Sequence, residues 1–347
     1  MGSEPRLLEG IRVIDAASFI AGPVATTAMA DFGADVIKVE PPTGDTYRVR
    51  NAGYPPSPYN FPWIVDNRNK RGVAIDLRTE DGRRLLHRLV KSADVFVTNV
   101  PLDGRARLGV RWEDLAPLNS RLIYGSITAY GEEGAEASRP GFDSTALWAR
   151  TGLMDLVRPS PEAPPARSLP GMGDHPTGTA LFGAIMAALY QRERTGRGAM
   201  VSTSLMANGL WLNAIAAQGI LCGGRTTVRA LIAVLDAVFA ARDWAEWRRV
   251  LEAAGIAFGV VGTVDEIPHD PQMRACGALV PIDDPRAGAS FTVSSPLQIA
   301  GQEKVPATMA PEIGEHTVEV LREAGVEPAE IDRLLRDGVI AQAKEAH

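Results

Sequence analysis

The stretch IRVIDAASFIAGPVATTAMADFGADVIKVEPP, Ile11 to Pro42, decides the fold. IRVIDAA is a short β-branched run and reads as a buried strand. VATTAMADFGA follows as a helix of small residues, and DVIKVE is a second strand stopped by two prolines. Strand, helix, strand over this length is a β-α-β unit, so the two strands are expected to be parallel with a right-handed crossover. The same alternation recurs downstream. VAIDL (73–77) is followed by a helical EDGRRLLHRLVKSA (80–93), then by the strands ADVFVTNV (93–100) and RLIYGSITAYG (121–131). The expected class is therefore α/β, a doubly wound Rossmann-like parallel sheet over roughly the first two hundred residues.

The Pro-rich SPEAPPARSLPGMG (160–173) reads as a loop delivering the chain to Asp174. TGTALFGAIMAALYQRERTG (177–196) is then a long helix, with Leu181, Ile185, Ala188 and Leu189 at helical spacing and AMVSTSLM (199–206) resuming as a strand. After LCGG (221–224) the character changes. TVRALIAVLDAVFAARDWAEWRRVLEAAG reads as two amphipathic helices, IAFGVVGTVDEIPHDP as strand and loop, and ALVPIDDPRAGASFTVSSPLQIAG as a hairpin. EHTVEVLREAG and PAEIDRLLRDG are two closing helices. The expected division is a large domain over 1–222, rejoined by 305–347, and a small α+β domain over 223–304.

The bulk numbers exclude several classes. The 347 residues carry 36 Lys+Arg against 42 Asp+Glu, a net charge of −6, so nucleic acid is not an expected partner. Cys222 and Cys276 are far apart and outside any CxxC pattern, which argues against zinc or a disulfide framework and fits a reducing cytoplasm. No apolar run is long enough to span a membrane, and the N-terminus has no signal-peptide pattern. No GxSxG elbow or HExxH motif occurs. The first β-α turn, SFIAGPVATT, has Gly22 but lacks the remaining glycines of a dinucleotide site, so Glu40 at the end of the second strand is weak support for NAD.

Asp174 stands out because it precedes a long helix. Two readings stay open: an N-cap accepting from a backbone N–H near Thr177, or a reactive carboxylate. The partial positive charge of a helix N-terminus would help keep such an acid ionised. Gly171 and Gly173 beside it would offer N–H groups to a developing oxyanion. An ionised carboxylate there could attack an activated acyl group. His175 reads as a solvated turn residue in a polar loop, with catalytic proton transfer as the alternative. Trp148 and Trp211 are candidates for an apolar acyl pocket, or for core.

Taken together and in order, LLEGIRVIDAASFIAGPVATTAMADFGADVIKVEPPTGD, DNRNKRGVAIDL, ADVFVTNVPLDGRARLGV, RLIYGSITAYG, RPGFDSTALWARTGLM, GMGDHPTG, RERTGRG, DPQMRACG and IGEHTVEVL resemble the family III CoA-transferases. That group holds formyl-CoA transferase, carnitine CoA-transferase and α-methylacyl-CoA racemase, and the resemblance covers nearly the whole chain. It implies that Asp174 is a nucleophile forming an aspartyl anhydride and then an aspartyl-CoA thioester, with oxyanion donors at Gly173 and around Phe19 to Ala21. It implies CoA contacts at Ile20 and Ala21 near the pantetheine and thiol, Lys70 and Arg107 at the nucleotide phosphates, and Asn99 and Val100 on the adenine side. No tightly bound cofactor is expected; coenzyme A and acyl-CoA are substrates, with a small carboxylic acid as acceptor and an interlocked homodimer as the assembly. Where the racemase branch has a G-H-D triplet, this chain has Gly141-Phe142-Asp143, which favours transfer over racemisation. GFDSTALWARTG is closer to transferases acting on 2-hydroxy acids such as phenyllactate. Relatives also carry a further small-domain segment between the equivalents of Gly224 and Val228, so a lid over Asp174 is expected to be reduced here.

Overall fold

The computed structural model describes residues 5–49, 57–160, 162–224, 235–259 and 261–343. A seven-stranded sheet organises the large domain: β1 (Arg12–Asp15), β2 (Asp35–Glu40), β3 (Arg71–Ile75), β4 (Val95–Thr98), β5 (Ile123–Thr128), β6 (Ala199–Ser204) and β9 (Ile340–Ala341), in the order β6-β5-β4-β1-β2-β3-β9. The first six strands are parallel, and β9 closes the β3 edge antiparallel. The six strands foreseen from alternation are all present. A two-stranded antiparallel sheet, β7 (Leu279–Pro281) with β8 (Phe291–Val293), marks the small domain where the hairpin was expected.

Both faces of the large sheet are covered, which is why its strands read as continuous apolar runs. On one face pack α1 (Ala21–Asp31) and the 22-residue α7 (Asp174–Thr195), with Met29, Leu181 and Ile185 fully buried. On the other lie α3 (Glu80–Val90) and two C-terminal helices, Thr317–Glu323 and Pro328–Arg336, which bury Leu86, Leu321 and Leu334 against the sheet. The chain thus returns from the small sheet to finish the large one. Shorter helices complete the frame: α2 (Phe61–Asn67), α4 (Leu102–Leu108), α5 (Trp112–Leu115), α6 (Leu153–Leu156), α8 (Leu205–Leu212) and α9 (Ala214–Leu221).

Two features of this fold place the site. The chain order reverses between β1 and β4, so the loops after these strands diverge and leave a crevice at their carboxyl ends. Second, α1 and α7 cross very closely at Gly178. A Cβ there would lie 2.5 Å from the Ala21 carbonyl oxygen and 2.8 Å from Val24, so only glycine lets the α7 tip reach the start of α1.

Some expectations were displaced. The strand expected in IAFGVV does not form: 256–259 and 261–263 are irregular. AMVSTSLM stops as a strand at Ser204, whose hydroxyl accepts from Ala207 N–H and caps α8. Hydrophobic residues followed on from the strand without a break, so alternation alone could not show the boundary. In the span read as two amphipathic helices, Trp244–Ala253 is helical, while 225–234 lie outside the described residues.

Candidate active site

A cavity of ≈ 630 Å³ opens at the crevice. Ser18 to Ala21, after β1, form one wall; Asn99 to Leu102, after β4, form another. Asn99 clips the two together, its side chain accepting from Ser18 N–H at 2.8 Å and donating to Ser18 O at 2.7 Å. Phe19 holds φ +61°, a left-handed conformation uncommon outside glycine, which turns the chain sharply into α1. Phe142, Asp143, Ser144 and Asp174 line the same cavity. Of the residues singled out in the sequence, Ile20, Ala21, Asn99, Val100 and Asp174 therefore meet in one place.

Asp174 is not a cap. The N-cap of α7 is Gly173, and Asp174 is the first helical residue. Thr177 N–H, the expected partner, donates to Gly173 O at 3.3 Å. Among the described residues the Asp174 carboxyl makes no hydrogen bond or ion pair, although it is largely enclosed. Burial pushes its pKa up from the carboxylate range to about 8; Asp143 and Asp66 add to the rise, and His175 opposes it. The helix end was expected to keep this acid charged. Its contribution of about 0.3–1 kcal/mol cannot offset a rise of several pKa units at about 1.4 kcal/mol each.

The loop before Asp174 is tied down by Asp143, the last residue of the Gly141-Phe142-Asp143 triplet, to which sequence reading assigned no role. Asp143 is buried and opens a π-helical stretch, Asp143–Ala149. Its Oδ2 accepts from Gly171 N–H and Gly173 N–H, both at 3.1 Å, and its Oδ1 accepts from Ser144 N–H at 2.6 Å. The Gly173 amide is thus occupied by a carboxylate rather than open to an oxyanion, and so is that of Gly171. The first-turn amides of α1 remain: Ala21 and Gly22 have no intrahelical partner by position, and Ala21 faces the cavity.

His175 lies on α7 rather than in a loop, with its side chain 48% exposed. Nε2 lies 3.1 Å from Asp66 Oδ1 and Nδ1 lies 3.0 Å from Gly171 O. The Gly171 carbonyl can only accept, and so does Asp66 when ionised, so a doubly protonated ring satisfies both contacts. Burial works against that charge, but Asp66 and the Gly171 carbonyl outweigh it, and the pKa rises to about 9. Asp66, on α2, is itself buried and accepts from Tyr47 Oη at 3.0 Å.

Five candidates stand elsewhere. The Lys70 ammonium is buried within 2.9–3.0 Å of Asp15 Oδ2, Pro23 O, Asp66 O and Asn67 Oδ1, so it holds the scaffold together and is not presented to a phosphate. Arg107, on α4, is exposed and outside the cavity lining. Trp148 packs with Tyr130 and Leu147 in a satellite core, and Trp211 on α8 is 80% exposed. Glu40 is bound by Arg48 at 2.6 and 2.8 Å and by Asp45 N–H, so it is no ribose acceptor. The cation that does line the cavity is Arg139, paired with Glu136 and 5.3 Å from the Tyr130 ring centroid. Its position on an irregular loop left no sequence signal.

The sequence matches CoA-transferase family III over residues 8–229 and 223–317. The chain belongs to CoA-transferase family III. As a member it is classed as an acyl-CoA:carboxylate CoA-transferase. It is 28% identical to the (R)-2-hydroxy-4-methylpentanoate CoA-transferase of Clostridioides difficile, across 96% of this chain and 99% of that protein. It is 26% identical to the cinnamoyl-CoA:phenyllactate CoA-transferase of Clostridium sporogenes, across 99% and 100%. A CAIB/BAIF family protein from Brucella suis superposes with a TM-score of 0.79 at 26% identity, covering 92% of this chain and all of that one. The alignment to the C. sporogenes enzyme runs over 412 positions against 347 residues here, so at least 412 − 347 = 65 of them have no counterpart in this chain. The two family-matched blocks meet at 223–229. Among the described residues no metal-binding cluster occurs, and no helix is long and apolar enough to cross a membrane.

Proposed function

We propose that this transferase moves CoA from an acyl-CoA thioester to a free carboxylate through covalent intermediates on Asp174. The observation that carries this reading is a carboxyl without a hydrogen-bond partner, facing a cavity walled by Ile20, Ala21, Asn99 and Val100. The Asp174 carboxylate oxygen attacks the thioester carbonyl carbon, the C–S bond breaks, and CoA leaves as thiolate from a mixed anhydride. The thiolate then attacks the aspartyl carbonyl and frees the donor acid, giving an aspartyl-CoA thioester. The acceptor carboxylate attacks that carbonyl and expels the thiolate, forming a second anhydride. Attack of the thiolate on the acceptor's acyl carbon yields the new acyl-CoA and restores Asp174. Each step exchanges one acyl bond for another. The α1 amides at Ala21 and Gly22 are placed to stabilise the oxyanions.

Coenzyme A enters over Ile20 and Ala21 with its nucleotide toward Asn99 and Val100. Arg139, rather than Lys70 or Arg107, supplies the nearby cation for its phosphates. The acyl end meets Phe19, Tyr47 and Phe142, with the Phe19 ring centroid 6.3 Å from that of Tyr47 and 5.7 Å from that of Phe142. This wall suits an apolar acid, in keeping with the 2-hydroxy acids in the names of two relatives. The functional unit is a homodimer in which a partner chain covers α8 and α9, where Trp211, Ile215 and Leu221 are 80–93% exposed. Leaving three such side chains in water forgoes roughly 1.5–3 kcal/mol each. The small domain, 223–304, forms a reduced cover over the cleft, and the enzyme works in the cytoplasm.

Incubation with an apolar acyl-CoA and hydroxylamine, followed by mass spectrometry of the peptide spanning Asp174, tests the covalent step. A hydroxamate at Asp174 is expected, lost in Asp174→Asn together with at least about a thousandfold of the transfer rate. A hydroxamate elsewhere, or turnover surviving the substitution, overturns it.

A further inference from the structure

The α7 tip is wedged between two cavities. Asp174 lines the large one; the next residue, His175, lines a second of ≈ 440 Å³ on the other side, with Asp66, Arg68 and Pro176. His175 is held by two hydrogen bonds, to Asp66 Oδ1 and Gly171 O, and Gly171 belongs to the loop that delivers Asp174. The same loop is held from the opposite side by Asp143. We propose that His175, fixed as an imidazolium by Asp66, is a positioning residue for the reaction: it keeps one positive charge beside Asp174 and anchors the loop that aims it. This rests on Asp174 being the nucleophile.

The charged groups around the ring come from every element packed on it. Asp66 on α2 contacts it directly, and Tyr47 braces Asp66 from the turn Thr46–Val49. Asp174 follows Gly173 on the ring's own chain, and Asp143 reaches the loop from the π-helical stretch. Arg68 lines the second cavity but is tied to Asp31 at 2.7 Å, and Lys70 donates to the Asp66 carbonyl. His175 is therefore a cation that touches Asp66 directly and adjoins Asp174 in the chain. Attack requires ionised Asp174, and the imidazolium favours that form, so its charge lowers the pH at which the enzyme becomes competent.

His175→Gln tests this, because the amide can still donate to Asp66 but carries no charge. The acid limb of the kcat/KM profile is expected to move up by about one pH unit. At pH 7 kcat falls about tenfold with KM for acyl-CoA nearly unchanged, and the rate at pH 9.5 approaches that of the wild type. A profile that superposes on the wild type overturns the proposal. Should the variant fail to fold, ¹⁵N imidazole shifts of the wild-type protein decide the matter. A ring still protonated at pH 8 is expected, and one titrating near 6.5 contradicts it. Hydroxylamine trapping on the wild type keeps the two claims apart: a missing adduct at Asp174 refutes the nucleophile, whereas an adduct with unshifted profiles refutes only the role of His175.

Discussion

Two clusters of charge lie within one helix of each other and are built on opposite principles. Beneath the ends of β1, β2 and β3, Asp15, Lys38, Asp45 and Lys70 are all buried, and each charge has an opposite neighbour: Lys38 to Asp45 at 3.2 Å, Lys70 to Asp15 at 2.9 Å. Burial alone would raise the pKa of Asp15, but Lys70 and Lys38 more than reverse this and hold it below the usual range. At the α7 tip, Asp66 holds His175, Asp143 holds the Gly171 and Gly173 amides, and among the described residues Asp174 is left without a hydrogen bond. Its pKa moves the other way, to about 8. Pairing makes a scaffold; burial without a partner, with like charges adding to it, makes a reactive acid that stability alone would not favour.

Breaking the paired cluster should have the largest effect on folding. Lys70→Met leaves Asp15 buried without its partner and should cost about 3–5 kcal/mol, read by chemical denaturation. Where the variant stays folded, KM for acyl-CoA should not change, since Lys70 is not offered to the ligand. A selective rise in KM would return Lys70 to the phosphate site.

Relieving the crowded cluster should act on pH. Asp143→Asn removes a like charge from Asp174 and keeps an acceptor for the Gly171 and Gly173 amides. Less repulsion lowers the pKa of Asp174, so the acid limb of kcat/KM should move down by about one unit, opposite to the shift for His175→Gln. The raised pKa also has a sign for stability. Stability from the protonated Asp174 is fully present below the ordinary carboxylate pKa near 4 and is lost as pH rises through about 8. Asp174→Asn should therefore flatten the fall in melting midpoint between pH 5 and pH 8.

The smallest effects separate the two arginines. Arg139→Ala should raise KM for acyl-CoA about threefold to tenfold without changing kcat, while Arg107→Ala should leave both unchanged. The reverse pattern would move the phosphate end of the ligand to α4.

The difference between the clusters was only half legible in the sequence. Alternating strands and helices carried the parallel sheet, because continuous apolar runs such as VFVT and IYGSIT suit strands buried on both faces. The place of Asp174 was visible from the loop-to-helix change. What its neighbours do was not. Asp66, Asp143 and His175 come from α2, a π-helical stretch and α7, and the separation of 109 positions between Asp66 and His175 carries no periodic signal. Lys70 was assigned to the phosphates by resemblance, and only the folded sheet shows that it points inward to Asp15.

The central claim is that the fold holds Asp174 enclosed, unbonded and crowded by carboxyls, so that it ionises late. Selective ¹³Cγ-aspartate labelling with a pH titration of the ligand-free protein measures this directly, with Asp174→Asn identifying the signal. A midpoint near pH 8 is predicted for Asp174. A midpoint at or below 5 would mean that its neighbours stabilise the charge, and the contrast between the two clusters would not hold.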